Sequence, residues 1–152
     1  MLVFTTVMPL LPRRAVVALS ITLGKIAFYF DRRGRAVALA NLAAAFGEEY
    51  TPAQRRDIAQ ASYGNFSRTM CDLFWSPALT AKNFHRYLKF ENIAVLQQLQ
   101  ARGESAVMVC IHQGNFEWAS LAVGFAGLPV TIVTAYFKNQ QVSRFFQRCR
   151  EV

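Results

Sequence analysis

The hydrophobic pattern changes character near Gly103. Before it, apolar residues recur at helical spacing between clear stops; after it, they fall into short continuous runs. Residues 15–30 (AVVALSITLGKIAFYF) are almost all apolar, interrupted by Lys25 and flanked by Arg13, Arg14, Arg32 and Arg33. The run is shorter than the about 20 residues a spanning helix needs. Pro9 and Pro12 break its extension toward the amino terminus, and no small-residue cleavage site follows it. The pattern predicts a membrane-associated helix, shallow or spanning, with a buried core helix as the alternative. Residues 35–46 (RAVALANLAAAF) predict a second helix stopped by Gly47. Thr51-Pro52-Ala53-Gln54 has the form of a capping box, with Thr51 as N-cap, Pro52 at the first helical position and Gln54 at the third. A long helix should run from there to about Trp75, before Pro77. A further helix is expected over residues 93–100, ending near Gly103.

Beyond Gly103 the reading changes. Residues 105–111 (SAVMVCI) and 130–136 (VTIVTAY) are apolar and rich in β-branched residues, so both read as strands. Residues 115–124 between them read as a helix, broken at Gly127-Leu128-Pro129. Strand, helix and strand in succession make a βαβ unit and predict a parallel sheet with a right-handed crossover. The expected fold class is therefore α/β: an amino-terminal membrane-associated helix over residues 1–34, then residues 35–152 as a helical region leading into the first part of an α/β domain. Such a lone unit would look truncated and would leave an unpaired sheet edge.

Charge narrows the partners. The chain carries 17 Lys+Arg against 9 Asp+Glu, a net +8, and 53% of its 152 residues are hydrophobic. Disorder is excluded by that composition, and anionic partners are favoured. Within residues 1–35, Arg13, Arg14, Lys25, Arg32, Arg33 and Arg35 stand against the single acid Asp31. A basic collar of this kind suits anionic lipid headgroups, at roughly 1 kcal/mol per basic residue near the surface. The apolar amino-terminal run argues against nucleic acid as the partner. Cys71, Cys110 and Cys149 show neither disulfide-framework nor zinc spacing. No Walker A, G-x-S-x-G or G-x-G-x-x-G motif occurs, so NTPase, serine hydrolase and dinucleotide readings lack support.

The candidate chemistry lies in VCIHQGNFEWAS, residues 109–120. His112 falls at the end of the first expected strand, where ligands bind in open parallel sheets. Gly114 permits a tight turn, and Asn115 suits the N-cap of the next helix. Glu117 would sit in that helix's first turn, favoured by the dipole. On one continuous helix His112 and Glu117 would face about 140° apart; a bend between them lets them meet. A carboxylate accepting one imidazole N–H fixes the tautomer and raises the basicity of the other nitrogen, making a general base. Each residue also has a purely structural reading: a strand-end histidine, a cap, a dipole-complementing acid. Among the other features, Phe66, Met70, Leu73, Phe74 and Trp75 form an apolar stripe suited to core packing, with an acyl-chain wall as the alternative, and Phe84, Tyr87, Leu88 and Phe90 suit a buried turn, with a cover over the site or a lipid contact as the alternatives.

His112-Gln-Gly-Asn-Phe-Glu117 resembles the His-x4-acid signature of the bacterial lipid A biosynthesis acyltransferase family, the lauroyl/myristoyl acyltransferases that use acyl carrier protein. RAVALANLAAAF, TPAQRRDIAQASYGNFSRT and ARGESAVMVCIHQGNFEW are similar, in that order, to the family's segments leading up to the motif. The resemblance covers the family's amino-terminal half. The later aspartate and Gly-Phe-Phe-Gly-like loop have no counterpart, which leaves an inactive membrane-binding fragment as a rival reading. The resemblance implies a glycerolipid-acyltransferase-like fold. It also implies fatty acyl transfer from acyl-acyl carrier protein to a hydroxyl of a lipid A precursor or related glycolipid, or of another membrane lipid. His112 would be the base and Glu117 its orienting partner. Gly114 and Asn115 would line the substrate site. In NQQVSRFFQRCR, Arg150 matches the family's functional arginine best, with Arg148 as the fallback; a solvated basic helix face is the alternative. No metal and no cofactor are implied. The implied setting is the cytoplasmic face of the bacterial inner membrane, with acyl carrier protein and anionic lipids as partners.

Overall fold

A computed structural model of the chain describes residues 6–111, 113–133 and 138–150. These residues form helices α1 (Arg13–Phe30), α2 (Arg32–Phe46), α3 (Pro52–Trp75), α4 (Ile93–Ala101), α5 (Phe116–Phe125) and α6 (Gln140–Arg150). Short 3-10 turns lie at Met8–Leu10, Ser76–Ala78 and Phe84–Arg86. The chain divides into two compact units. One is Leu11–Asp72; the other combines Met1–Leu10 with Leu73–Val152.

In the first unit the stops are chemical. Pro12 precedes α1 with φ −62° and ψ 141°, a preset entry into a helix. Asp31 ends α1 and starts α2: its amide donates to the Ala27 carbonyl, and its carboxylate accepts from the Gly34 amide at 2.8 Å. Gly47 closes α2 with φ +49°. The capping box before α3 forms in both directions. Thr51 N–H donates to Gln54 Oε1 at 2.8 Å, and Gln54 N–H donates to Thr51 Oγ1 at 3.3 Å.

The core of this unit lies along an i, i+4 row of α1: Val16, Ser20, Gly24 and Phe28 are all buried. Ser20 satisfies its hydroxyl within the helix, donating to the Val17 carbonyl at 2.7 Å. At Gly24 the backbones of α1 and α3 come so close that a Cβ would sit 2.5 Å from Gly64 Cα. Phe28 meets the Tyr63 ring edge-on at 5.5 Å, with the Arg35 and Arg56 guanidiniums 5.5 and 5.3 Å from its centroid. At the other end Arg13 pairs with buried Asp72 at 2.7 Å. Taken in order, these contacts run α1 antiparallel to α3 along its length. Arg35 also donates to the Phe28 and Tyr29 carbonyls at 2.7 and 2.8 Å, capping α1. Tyr63 hydroxyl donates to Asp31 Oδ2 at 2.9 Å, tying the α1–α2 corner to α3.

The second unit is built on aromatic rings. Trp75 meets Tyr87 at 5.1 Å and Trp118 at 5.9 Å, and Phe84 stacks on Phe125 at 5.6 Å. The turn holding Tyr87 is not buried as the sequence suggests: Tyr87 is exposed, and Phe84, Leu88 and Phe90 are only partly covered. Leu73 and Trp75 from the end of α3 are buried as expected of the apolar stripe, whereas Phe66 is 64% exposed.

The expected α/β class is corrected: among the described residues there is no strand and no sheet. Residues 105–111 and 130–133 carry no regular element, and residues 134–136 lie outside the described residues. Val107, Val109 and Val133 are 93%, 91% and 97% exposed. β-branched apolar residues fit a pleated surface, but a strand exists only through ladder bonds to a neighbour. No backbone hydrogen bond joins these two runs among the described residues. Nor is any helix among them long and apolar enough to cross a membrane. The 18-residue α1 itself includes Arg13, Arg14 and Lys25.

Gly24→Ala should destabilise the chain by roughly 1–3 kcal/mol, because its new methyl meets backbone. Gly64→Ala, whose Cβ would meet nothing within 4 Å, should stay within about 1 kcal/mol and lean toward stabilisation through helix propensity. Urea unfolding followed by circular dichroism reads both.

The helix corner should respond to pH at both extremes. The Gly34 amide, then the Tyr63 hydroxyl and Arg35, hold the Asp31 carboxyl below its ordinary 3.8. Its stabilising contribution is therefore present above that value and lost as pH falls through the lowered one. Burial, then the bond to Asp31, pushes the Tyr63 hydroxyl above 10.0. That contribution is present below pH 10.0 and lost as pH rises through the raised value. In thermal melts against pH, Asp31→Asn should flatten the acid limb and Tyr63→Phe the alkaline limb.

Candidate active site

Residues 111–118 enter α5 through fixed points. Gln113 N–H donates to the Ile111 carbonyl at 2.8 Å. Gly114 has φ +61°, in the left-handed region that favours glycine. Asn115 caps α5: its Oδ1 accepts from the Trp118 amide at 3.2 Å. Asn115 therefore has the capping role read from the sequence, and its side-chain oxygen is engaged with backbone. Glu117 lies in the first turn of α5 and is buried, at 5% exposure. A carboxylate is electrostatically favoured there by the helix N-terminus. His112 lies outside the described residues.

Trp118 locks this turn in place. Its indole Nε1–H donates to Ser76 Oγ at 3.1 Å in a buried bond, and its ring packs against Trp75 and Tyr87 at 5.9 and 6.4 Å. Aromatic pairs of this kind contribute about 0.5–1.5 kcal/mol each beyond their area. The Ser76–Ala78 turn is a junction: α6 and the Met8–Leu10 turn also pack against it. At the start of α6, Asn139 Oδ1 accepts from the Val142 amide at 3.4 Å. Arg150 is the last residue of α6 and Arg148 lies on the same helix; their side chains lie outside what the structure describes.

The structure thus places Gly114, Asn115 and Glu117 at one helix start and Arg150 at the end of another helix of the same unit. The sequence reading missed Ser76 and the anchoring role of Trp118. Serine before proline reads as a helix stop, and nothing local announces a partner across 42 residues. Among the described residues, no three His, Cys, Asp or Glu side chains gather as a metal site.

The family model described as bacterial lipid A biosynthesis acyltransferase matches residues 1–152. The chain belongs to this family. It is an acyltransferase of the lipid A type, from a family generally associated with membranes. Neither the curated proteins nor the solved structures include a match to it. In this acyltransferase Glu117 follows His112 by five positions and sits on a helix start held by Asn115 and Trp118.

Ser76→Ala should strand the buried indole N–H of this acyltransferase and cost about 1–3 kcal/mol. Combining it with Trp118→Phe should cost less than the sum of the two single changes, because both remove the same bond. A double-mutant cycle by urea unfolding measures the coupling.

Proposed function

We propose that the enzyme transfers a fatty acyl chain from acyl-acyl carrier protein to a hydroxyl of a lipid A precursor or related glycolipid, at the cytoplasmic face of the bacterial inner membrane. His112 acts as general base. Its free ring nitrogen takes the acceptor hydroxyl's proton as the oxygen attacks the thioester carbonyl. The carbon–oxygen bond forms, the carbon–sulfur bond of the collapsing tetrahedral intermediate breaks, and the imidazolium returns the proton to the departing sulfur. Glu117 accepts the other ring N–H, holding the tautomer and stabilising the imidazolium. Amides at the start of α5 suit the developing oxyanion. Gly114 leaves room at the turn for substrate, with Asn115 beside it. Arg150 holds a phosphate of the acceptor. Neither a metal nor a cofactor is required. The net charge of +8 favours docking of an acidic carrier protein.

The observation that carries this reading is the His112–Glu117 signature in a chain matched by the family over residues 1–152. Burial of Glu117 at a helix start supports it, since a desolvated carboxylate is suited to hold an imidazolium.

Acyl transfer to a lipid A precursor, followed by the mass of the product lipid, tests it. His112→Ala should lower kcat/KM by roughly 10²–10⁴-fold. Glu117→Gln should lower kcat and shift its pH profile, with the fold kept. Equal activity of wild type and His112→Ala would reject the mechanism.

A further inference from the structure

We propose that Ser76 is a positioning residue for acyl transfer: through the Trp118 indole it sets the roll of α5 about its own axis, and so the place of the Glu117 carboxylate. This deepens the reading above and rests on Glu117 serving as the partner of the base. The buried side chains of α5 are Glu117, Trp118, Leu121, Ala122 and Val123. The acid thus shares the packed side of the helix with apolar residues.

Asn115 does not set the roll of that helix. Its bond to the Trp118 amide lies within the first turn and rotates with it. The apolar neighbours set it only loosely, because hydrophobic contact has no direction. The bond from Trp118 Nε1–H to Ser76 Oγ is different: it is 3.1 Å long, buried, and reaches a residue outside the helix. A hydrogen bond weakens steeply as its angle opens, so this one resists rotation. Its acceptor is fully buried, in a turn closed by the Leu79 amide donating to the Ser76 carbonyl at 2.8 Å. Trp118 and Glu117 are adjacent, about 100° apart around α5. Whatever fixes the rotation of one therefore fixes the other.

The leverage is large. A side chain ends about 5–6 Å from a helix axis, so a roll of about 10° carries its tip about 1 Å sideways. A misplacement of about 1 Å can cost about a hundredfold in rate. For folding, by contrast, exchanging both partners of a buried hydrogen bond for apolar groups of the same shape is close to neutral. What the polar pair adds over an apolar one is direction.

Steady-state acyl transfer by the full chain, run at a temperature where circular dichroism shows every variant folded, tests the assignment. Ser76→Ala should lower kcat roughly ten- to a hundredfold, with the acceptor KM changed less than about threefold. Trp118→Phe breaks the same bond from the other side and should act alike. In a Glu117→Gln background, Ser76→Ala should change kcat less than about twofold, because residues that act as a unit do not add. A role in folding alone predicts the same factor in both backgrounds. Tyr63→Phe, which loses a hydrogen bond of the other unit, should keep kcat within about twofold, as surface of another unit couples weakly to this one. Wild-type kcat in Ser76→Ala, or an equal factor in the Glu117→Gln background, overturns the positioning role and leaves the acyl-transfer reading standing. Full activity of Glu117→Gln defeats the role of the acid, and the positioning role with it.

Discussion

Gly24 presses its bare backbone against Gly64, with no room for a Cβ at Gly24, and the helical unit is organised around that contact. Two helices approach this closely only where one presents bare backbone. Once they do, the i, i+4 neighbours of Gly24 fall against α3 in turn. Phe28 reaches the Tyr63 ring one turn further along, and Arg13 reaches Asp72 at the far end. A wider crossing would put the Arg13–Asp72 pair at risk. Asp72 is buried and would then keep only its longer pairing with Arg68, at 3.9 Å. The glycine contact therefore governs a charge pair about three turns away, although neither residue touches the other.

The same unit sorts its cations by what they can reach. Residues 13–35 look like a uniform basic collar, but the structure divides it. Arg13 neutralises a buried acid, and Arg35 caps the last carbonyls of α1 while sitting beside the Phe28 ring. Both use the planar fork of the guanidinium, which suits several directed bonds at once. The remaining four cations point to solvent. A surface charge that is not used for folding remains available for long-range attraction, and this division follows from the positions of Asp72 and the end of α1.

What could be read from the sequence was local. The stops at Gly47 and Gly103, the capping box at Thr51 and Gln54, and the Asn115 cap each act within a few residues, and each forms as its residue types require. The elements between them follow. The contacts that fix tertiary arrangement are distant in sequence: Asp31 with Tyr63, Gly24 with Gly64, Ser76 with Trp118. No pattern in either partner alone reveals the other. The expected strands failed for the same reason. Residues 105–111 have strand composition, but composition is a property of one segment and pairing a property of two. Of the candidate site, the cap and the first-turn acid were legible; the indole anchor was not.

The start of α5 divides its work among adjacent side chains. Asn115 fixes the backbone at the cap, and Trp118 fixes the ring face one residue past the acid, through Ser76 and two aromatic neighbours. Glu117 lies between these two clamps and is buried. The two flanking residues carry no ionisable group. Such an arrangement favours an acid that must hold a partner in one orientation, because a carboxylate free to change rotamer would lose directional control over the ring it supports. Ser76, Trp75 and Tyr87 hold Trp118 and, through it, the start of α5. A carboxylate serving only the helix dipole would gain as much at the exposed surface of the same turn, where no desolvation opposes it. On the proposed acyl-transfer reading, burial between two anchors is what a positioned acid requires.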